Sequence, residues 1–161
     1  MARTDNEVRI TLSVLDRLVD YEPGITREAA ATRTNTLRQL KQAIKRDLEW
    51  LLNTRQTAED LPPDMKEINH SLAAYGLPDF SNASVKSPAD RTRICRALEN
   101  VISIFEPRLT EVVVVLEAEG EHQRDLHFRI DAQLDIEPAP EPVTFDTVLQ
   151  LSSGQYAVEG E

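Results

Sequence analysis

The apolar residues of this chain change their spacing once, and the change falls at Glu106-Pro107-Arg108. Upstream, Leu37, Leu40, Ile44, Leu48 and Leu51 recur at steps of 3, 4, 4 and 3, which is the spacing of one helical face. Ile94, Leu98, Val101, Ile102 and Phe105 form a second such stripe behind Ser87-Pro88-Ala89-Asp90. There Ser87 suits an N-cap, Pro88 the first turn, and Asp90 a capping-box partner. Downstream, Leu126, Phe128, Ile130, Ala132, Leu134 and Ile136 alternate with polar residues, as on a strand with one dry face. Pro107 disfavours helical geometry at Glu106, so the second long helix should stop at the joint. Helices first and strands last predict an α+β fold of one domain, residues 1–161. Residues 1–109 are expected to be mostly helical, packed on one face of a mainly antiparallel sheet drawn from residues 110–161.

Weaker signals fill the gaps. Leu12, Leu15, Leu18 and Val19 suggest a short amphipathic helix ending before Glu22-Pro23-Gly24. Residues 24–36 are poorly patterned; Thr26 to Asn35 read as a polar connection, and no functional weight falls there. Ile68, Leu72 and Tyr75 suggest another helical face, closed by Gly76 in the left-handed position and by Pro78. Val112 to Leu116 is an unbroken apolar run, the pattern of a strand covered on both faces. Glu119-Gly120-Glu121 reads as a turn, and EPAPEP (137–142) as a proline-stiffened linker. Val143, Phe145, Val148 and Leu149 suggest a third strand, and Ser153-Gly154 a turn into a short strand over Tyr156–Val158.

Charge narrows the range of partners. The net charge is −10, yet residues 1–109 carry 16 basic and 16 acidic side chains, while residues 110–161 carry 2 and 12. The strand-rich third therefore holds the whole excess. Nucleic acid and anionic membranes need clustered Lys and Arg, so neither is an expected partner. A basic protein surface is one reading of the acidic strands, and protection of an exposed sheet from unwanted pairing is the other. One cysteine, Cys95, cannot form an internal disulfide, and the opening MARTDNEVRI lacks the apolar core of a signal peptide. The longest apolar run is too short to span a bilayer. The expected location is the cytoplasm, without membrane insertion.

Motifs for chemistry are scarce. Phosphate loops, dinucleotide fingerprints and paired cysteines do not occur in the sequence. His122 and His127 lack a third ligand at useful spacing, so no metal is expected. Cys95, beside the Ile94–Leu98 stripe, reads as a half-buried structural thiol. A glycoside hydrolase would need two carboxylates about 5–9 Å apart, one in an apolar pocket. Glu49-Trp50 sets an acid beside an indole, but Glu49 has no evident carboxylate partner. No catalytic, cofactor-binding or metal-binding residue is therefore assigned. Trp50 lies about 200° around the helix from Leu48, at roughly 100° per residue. It should either pack under the 53–67 loop or meet a partner protein. Glu106 and Arg108, flanking a rigid proline, fit a solvated turn or a pair of charges presented to a partner. The residue pattern alone favours the turn.

A resemblance bears on that choice. SVLDRLVD (13–20), LKQAIKRDLEWLLNTR (40–55), NHSLAAYGLPDFS (69–81), IFEPRL (104–109), LHFRI (126–130) and FDTVLQLSSGQYAV (145–158) together resemble the TssE family of type VI secretion baseplates. These contractile-tail wedge proteins are sometimes labelled lysozyme-like. The likeness covers nearly the whole chain in order, and RDLEWLLNTR, YGLPD and FEPRL in combination are its specific part. It implies a non-enzymatic scaffold whose sheet resembles the strand-exchange fold of the sheath. It also implies contacts with other wedge subunits, including the core bundle, and with the first sheath ring. Under it, Glu106, Pro107 and Arg108 become a subunit contact. Trp50, from its place off the main stripe, is the further partner-binding residue, an anchor on a second surface. A peptidoglycan hydrolase and a free acidic adaptor are the alternatives.

Overall fold

The computed structural model describes residues 10–19, 32–57, 62, 64–80, 87–117, 125–150 and 155–160. Helices α1 (Val14–Leu18), α2 (Arg33–Asn53), α3 (Lys66–Asn69) and α4 (Pro88–Phe105) precede four strands. These are β1 (Leu109–Glu117), β2 (Asp125–Leu134), β3 (Glu141–Gln150) and β4 (Gln155–Gly160). The strands form one antiparallel sheet in the order β1-β2-β3-β4. The fold is α+β with a C-terminal sheet, as the change of period predicts.

The two long helices bury the stripes that the spacing marks. Leu40, Ile44, Leu48 and Leu51 of α2 and Ile94, Leu98, Val101 and Ile102 of α4 are buried. They join one core with Phe128, Ile130, Ala132 and Leu134 of β2 and with Val143 and Phe145 of β3. Cross-strand register explains why these residues share a face: Ile130 lies opposite both Val114 and Phe145, and Phe128 opposite Leu116 and Thr147. Thr147 is the polar exception in this layer. Its Oγ1 is buried and has no hydrogen-bond partner among the described residues.

Caps set the helix ends. The Ser87 hydroxyl accepts from the Asp90 amide, with Pro88 in the first turn, as expected. The Asp90 carboxylate also pairs with Arg93 one turn on. α2 starts earlier than the pattern suggests, because the Thr32 hydroxyl accepts from the Asn35 amide and nucleates a turn through polar residues. Arg33–Asn35 are thus helical rather than part of a connection, and residues 26–31 lie outside the described part.

Three further expectations need correction. Ile68, Leu72 and Tyr75 do not share one helix. α3 ends at Asn69, Ser71 bonds the Ile68 carbonyl and the Ala73 amide through its hydroxyl, and a 3₁₀ turn follows over Leu72–Ala74. This local bonding breaks the register, and Leu72 is left 87% exposed. Gly76 does adopt the left-handed region, at φ 104°. A Cβ there would lie 2.4 Å from the Thr54 carbonyl oxygen, because Leu77 returns to pair with the end of α2.

β1 is an edge strand and is covered on one face only. Val114 is buried, but Val113 and Val115 are exposed on the outer face. A bulge between Thr110 and Val113, with Glu111 at φ 51°, re-aims the strand before its apolar run. The EPAPEP segment is only partly a linker, since Glu141 and Pro142 already belong to β3, where Pro142 pairs with Gln133. Tyr156–Val158 lie within β4, while the turns expected at 119–121 and 153–154 fall outside the described residues.

Candidate functional site

The helix-to-strand joint is held from three sides. The Glu106 amide closes the end of α4 on the Ile102 carbonyl at 2.8 Å, and the Leu109 amide bonds the Glu106 carbonyl at 3.0 Å. The Arg108 carbonyl accepts from the Asp135 amide, at 2.9 Å, just beyond the end of β2. Pro107, exposed between them, fixes φ at the turn itself. The joint is a rigid corner between the helical layer and the sheet.

Its side chains do not project as charges presented to solvent. Glu106 is 3% exposed. Its carboxylate takes Nε and Nη2 of Arg108 in a bidentate pair. Arg108 Nη2 also donates to Asp47 Oδ2 at 2.6 Å, and Nη1 reaches Asp16 Oδ2 at 3.5 Å. Arg46 completes the ring, with Nη2 donating to Asp16 Oδ1 at 2.8 Å and to Asp47 Oδ1 at 2.7 Å. The Ser13 hydroxyl donates to Asp16 Oδ2 at 2.6 Å. Three carboxylates thus surround two guanidiniums, joining α1, α2 and the joint in one network with one negative charge in excess. The exposed turn is ruled out for Glu106: a carboxylate this buried must be paired to stay charged.

The electrostatics agree. Burial alone would lower the Arg108 pKa, yet the hydrogen bond and charge of Glu106, then those of Asp47, raise it above the ordinary arginine value. Burial likewise raises the Asp16 pKa, but hydrogen bonds from Ser13 and Arg46 and the charges of Arg46 and Arg108 outweigh it and leave it lowered. Tyr75, nearby, is raised by burial and then by the charges of Asp47 and Glu106.

Beside this network lies a groove of about 370 Å³, lined by Leu15, Trp50, Leu51, Tyr75, Phe105 and Pro107 together with network members. Tyr75 and Phe105 meet edge to face, with ring centroids 5.2 Å apart. Trp50 is 55% exposed, so the expected packing under the 53–67 loop does not hold. The indole instead carries the Arg46 guanidinium over its ring at 5.1 Å. The structure therefore brings Trp50, Glu106, Pro107 and Arg108 to one place.

Sequence patterning does not single out Asp16, Arg46 or Asp47 as site residues. A signal existed for Asp47, which stands three residues after Ile44 and four before Leu51. Helical spacing sets that carboxylate beside the buried stripe, where a charge needs a partner. Asp16 carries no such mark, being brought in across 92 residues from Arg108.

The other candidates fall elsewhere. Glu49 accepts from the Val158 amide on β4 and belongs to the sheet edge. Cys95 is a free thiol of intermediate exposure whose pKa is raised by burial, in keeping with a structural role. His122 lies outside the described residues, and among those described no group of three or more potential ligands could hold a metal. No helix among the described residues is long and apolar enough to cross a membrane.

Residues 38–139 match the family model for baseplate wedge protein gp25. The matched span runs from α2 through the joint and β2 to the turn before β3, and includes Trp50, Glu106, Pro107 and Arg108. No curated protein matches the chain. The family is structural in contractile tails, and its wedge position implies contacts with other baseplate proteins. With more than half of its length matched, the chain belongs to the baseplate wedge protein gp25 family, the family of TssE.

Proposed function

We propose that this chain is the TssE-type subunit of a type VI secretion baseplate, a cytoplasmic, non-enzymatic part that joins wedge subunits to the first sheath ring. The partner surface is the groove beside the joint. Trp50 is its exposed anchor and Pro107 its rim, while Glu106 and Arg108 hold its wall. The observation that carries this reading is the pairing of a rigid ionic wall with a solvent-exposed indole. A wall held before binding loses little conformational freedom on docking, and aromatic anchors beside such walls tend to dominate interface energies.

The meeting of Asp16, Asp47 and Glu106 gives the hydrolase alternative its best case, since carboxylates do gather here. The chemistry argues against it. A general acid needs a raised pKa and a free proton, whereas each of these carboxylates is engaged by a guanidinium and Asp16 is lowered.

The test is co-purification of the tagged protein with its neighbouring gene products, run beside a peptidoglycan turbidity assay. Recovery of wedge and sheath subunits with flat turbidity supports the scaffold. Clearing of cell wall that stops on Asp47→Asn or Glu106→Gln would replace it with the enzyme.

A further inference from the structure

Each edge of the sheet is met by side chains of a helix, two at β4 and one at β1. At β4, Asn53 of α2 pairs with Tyr156 as a neighbouring strand would: Nδ2 donates to the Tyr156 carbonyl and Oδ1 accepts from its amide, each at 2.8 Å. Glu49, four residues earlier, accepts from the Val158 amide at 3.2 Å. At β1, Glu99 of α4 accepts from the Val114 amide at 2.9 Å.

The two spacings match for a geometric reason. Outward-facing amides recur every second residue of a strand, about 6.6 Å apart. Positions i and i+4 of a helix are separated by roughly 6 Å along its axis. A helix lying along a sheet edge can therefore occupy two successive amides with one pair of side chains.

These amides are the groups that an added strand would use. β1 most needs such protection, because Val113 and Val115 are exposed on its outer face. Repulsion between copies, each of net charge −10, is a weak substitute. Screening at physiological salt confines it to a distance of about 8 Å.

We propose that Glu49/Asn53 and Glu99 are edge guards that prevent the sheet from pairing with a strand of a second copy of this chain. The β4 guard takes both donor and acceptor of Tyr156, so it is the more complete. The β1 guard acts on the Val114 amide alone, which makes β1 the edge that opens first when its guard is removed.

The test uses the full chain with Glu99→Ala, Asn53→Ala and the double variant Glu49→Ala/Asn53→Ala, and with Glu99→Gln, which keeps an acceptor. Amide hydrogen exchange and sedimentation velocity are measured over a hundredfold range of concentration in physiological salt. The wild type and Glu99→Gln should stay monodisperse. Glu99→Ala should exchange Val114 at least tenfold faster and form oligomers as concentration rises. The double variant should do the same at Tyr156 and Val158, with Asn53→Ala intermediate. The inference is overturned if the edge amides speed up while every variant stays monodisperse, or if exchange at these amides does not change. A wild type that already associates through these strands overturns it as well.

Discussion

Replacing Arg108 with alanine should unfold the protein far more readily than loss of a surface charge would. The substitution strips Glu106 of its bidentate partner and Asp47 of a 2.6 Å contact, while Glu106 remains 3% exposed. An exposed ion pair contributes about 0–1 kcal/mol. Removing one member of a buried pair costs roughly 3–5 kcal/mol, because the remaining charge is left without water or partner. The Arg108 side chain is 26% exposed. Some water can therefore enter, so we expect the low end, about 3 kcal/mol. For a chain of this size that lowers the melting temperature by roughly 6–12 °C, at about 2–4 °C per kcal/mol. Calorimetry with urea titration measures both quantities. Glu106→Leu/Arg108→Met, which removes both charges and keeps apolar volume, should lose less than Arg108→Ala alone. A melt of Arg108→Ala within about 2 °C of the wild type would show that Glu106 does not depend on this pair and return the joint to an ordinary turn.

Trp50→Ala should cost about 1 kcal/mol, mostly the contact with Arg46, against about 2–5 kcal/mol for Leu48→Ala; urea melts compare the two. Thr147→Val removes a buried hydroxyl with no described partner and should raise stability by about 1 kcal/mol, read as a higher denaturation midpoint. Gly76→Ala must adopt φ 104° against the Thr54 carbonyl and should destabilise by about 1–3 kcal/mol, measured in the same way. Asp16 has a folded pKa below its ordinary 3.8, so its contribution is complete above that value and is lost as pH falls through the folded pKa. Melting temperatures of Asp16→Asn should accordingly fall less than those of the wild type as pH drops below about 4.

The sequence made the layer order legible, because helical and strand periods are local properties of the chain. The α2 and α4 stripes and the alternation of β2 all mark residues that the core buries. What periodicity could not show was whether both faces of the sheet would be covered. Val112–Leu116 reads the same whether a second layer covers it or solvent does, and the uncovered outer face of the sheet is what exposes Val113 and Val115. The site divides similarly. The corner at Pro107 follows from local backbone chemistry. The burial of Glu106 depends on Asp16 and Asp47, which arrive from distant positions that no local rule connects. Polar caps were the other blind spot. Thr32 and Ser71 set helix boundaries through hydroxyl bonds that apolar spacing does not register.

If a rigid ionic wall presents an exposed anchor to baseplate partners, Trp50→Ala should weaken binding while leaving the fold intact. Glu106 and Arg108 cannot serve, because their loss should also weaken the fold. Trp50, by contrast, is 55% exposed. The measurement is recovery of wedge and sheath subunits with tagged Trp50→Ala, at a temperature where its melt shows it fully folded. Partner recovery should fall at least tenfold, as for an anchor contributing about 1.4 kcal/mol or more. Undiminished recovery with a folded Trp50→Ala would contradict it and place the partner surface elsewhere on the chain.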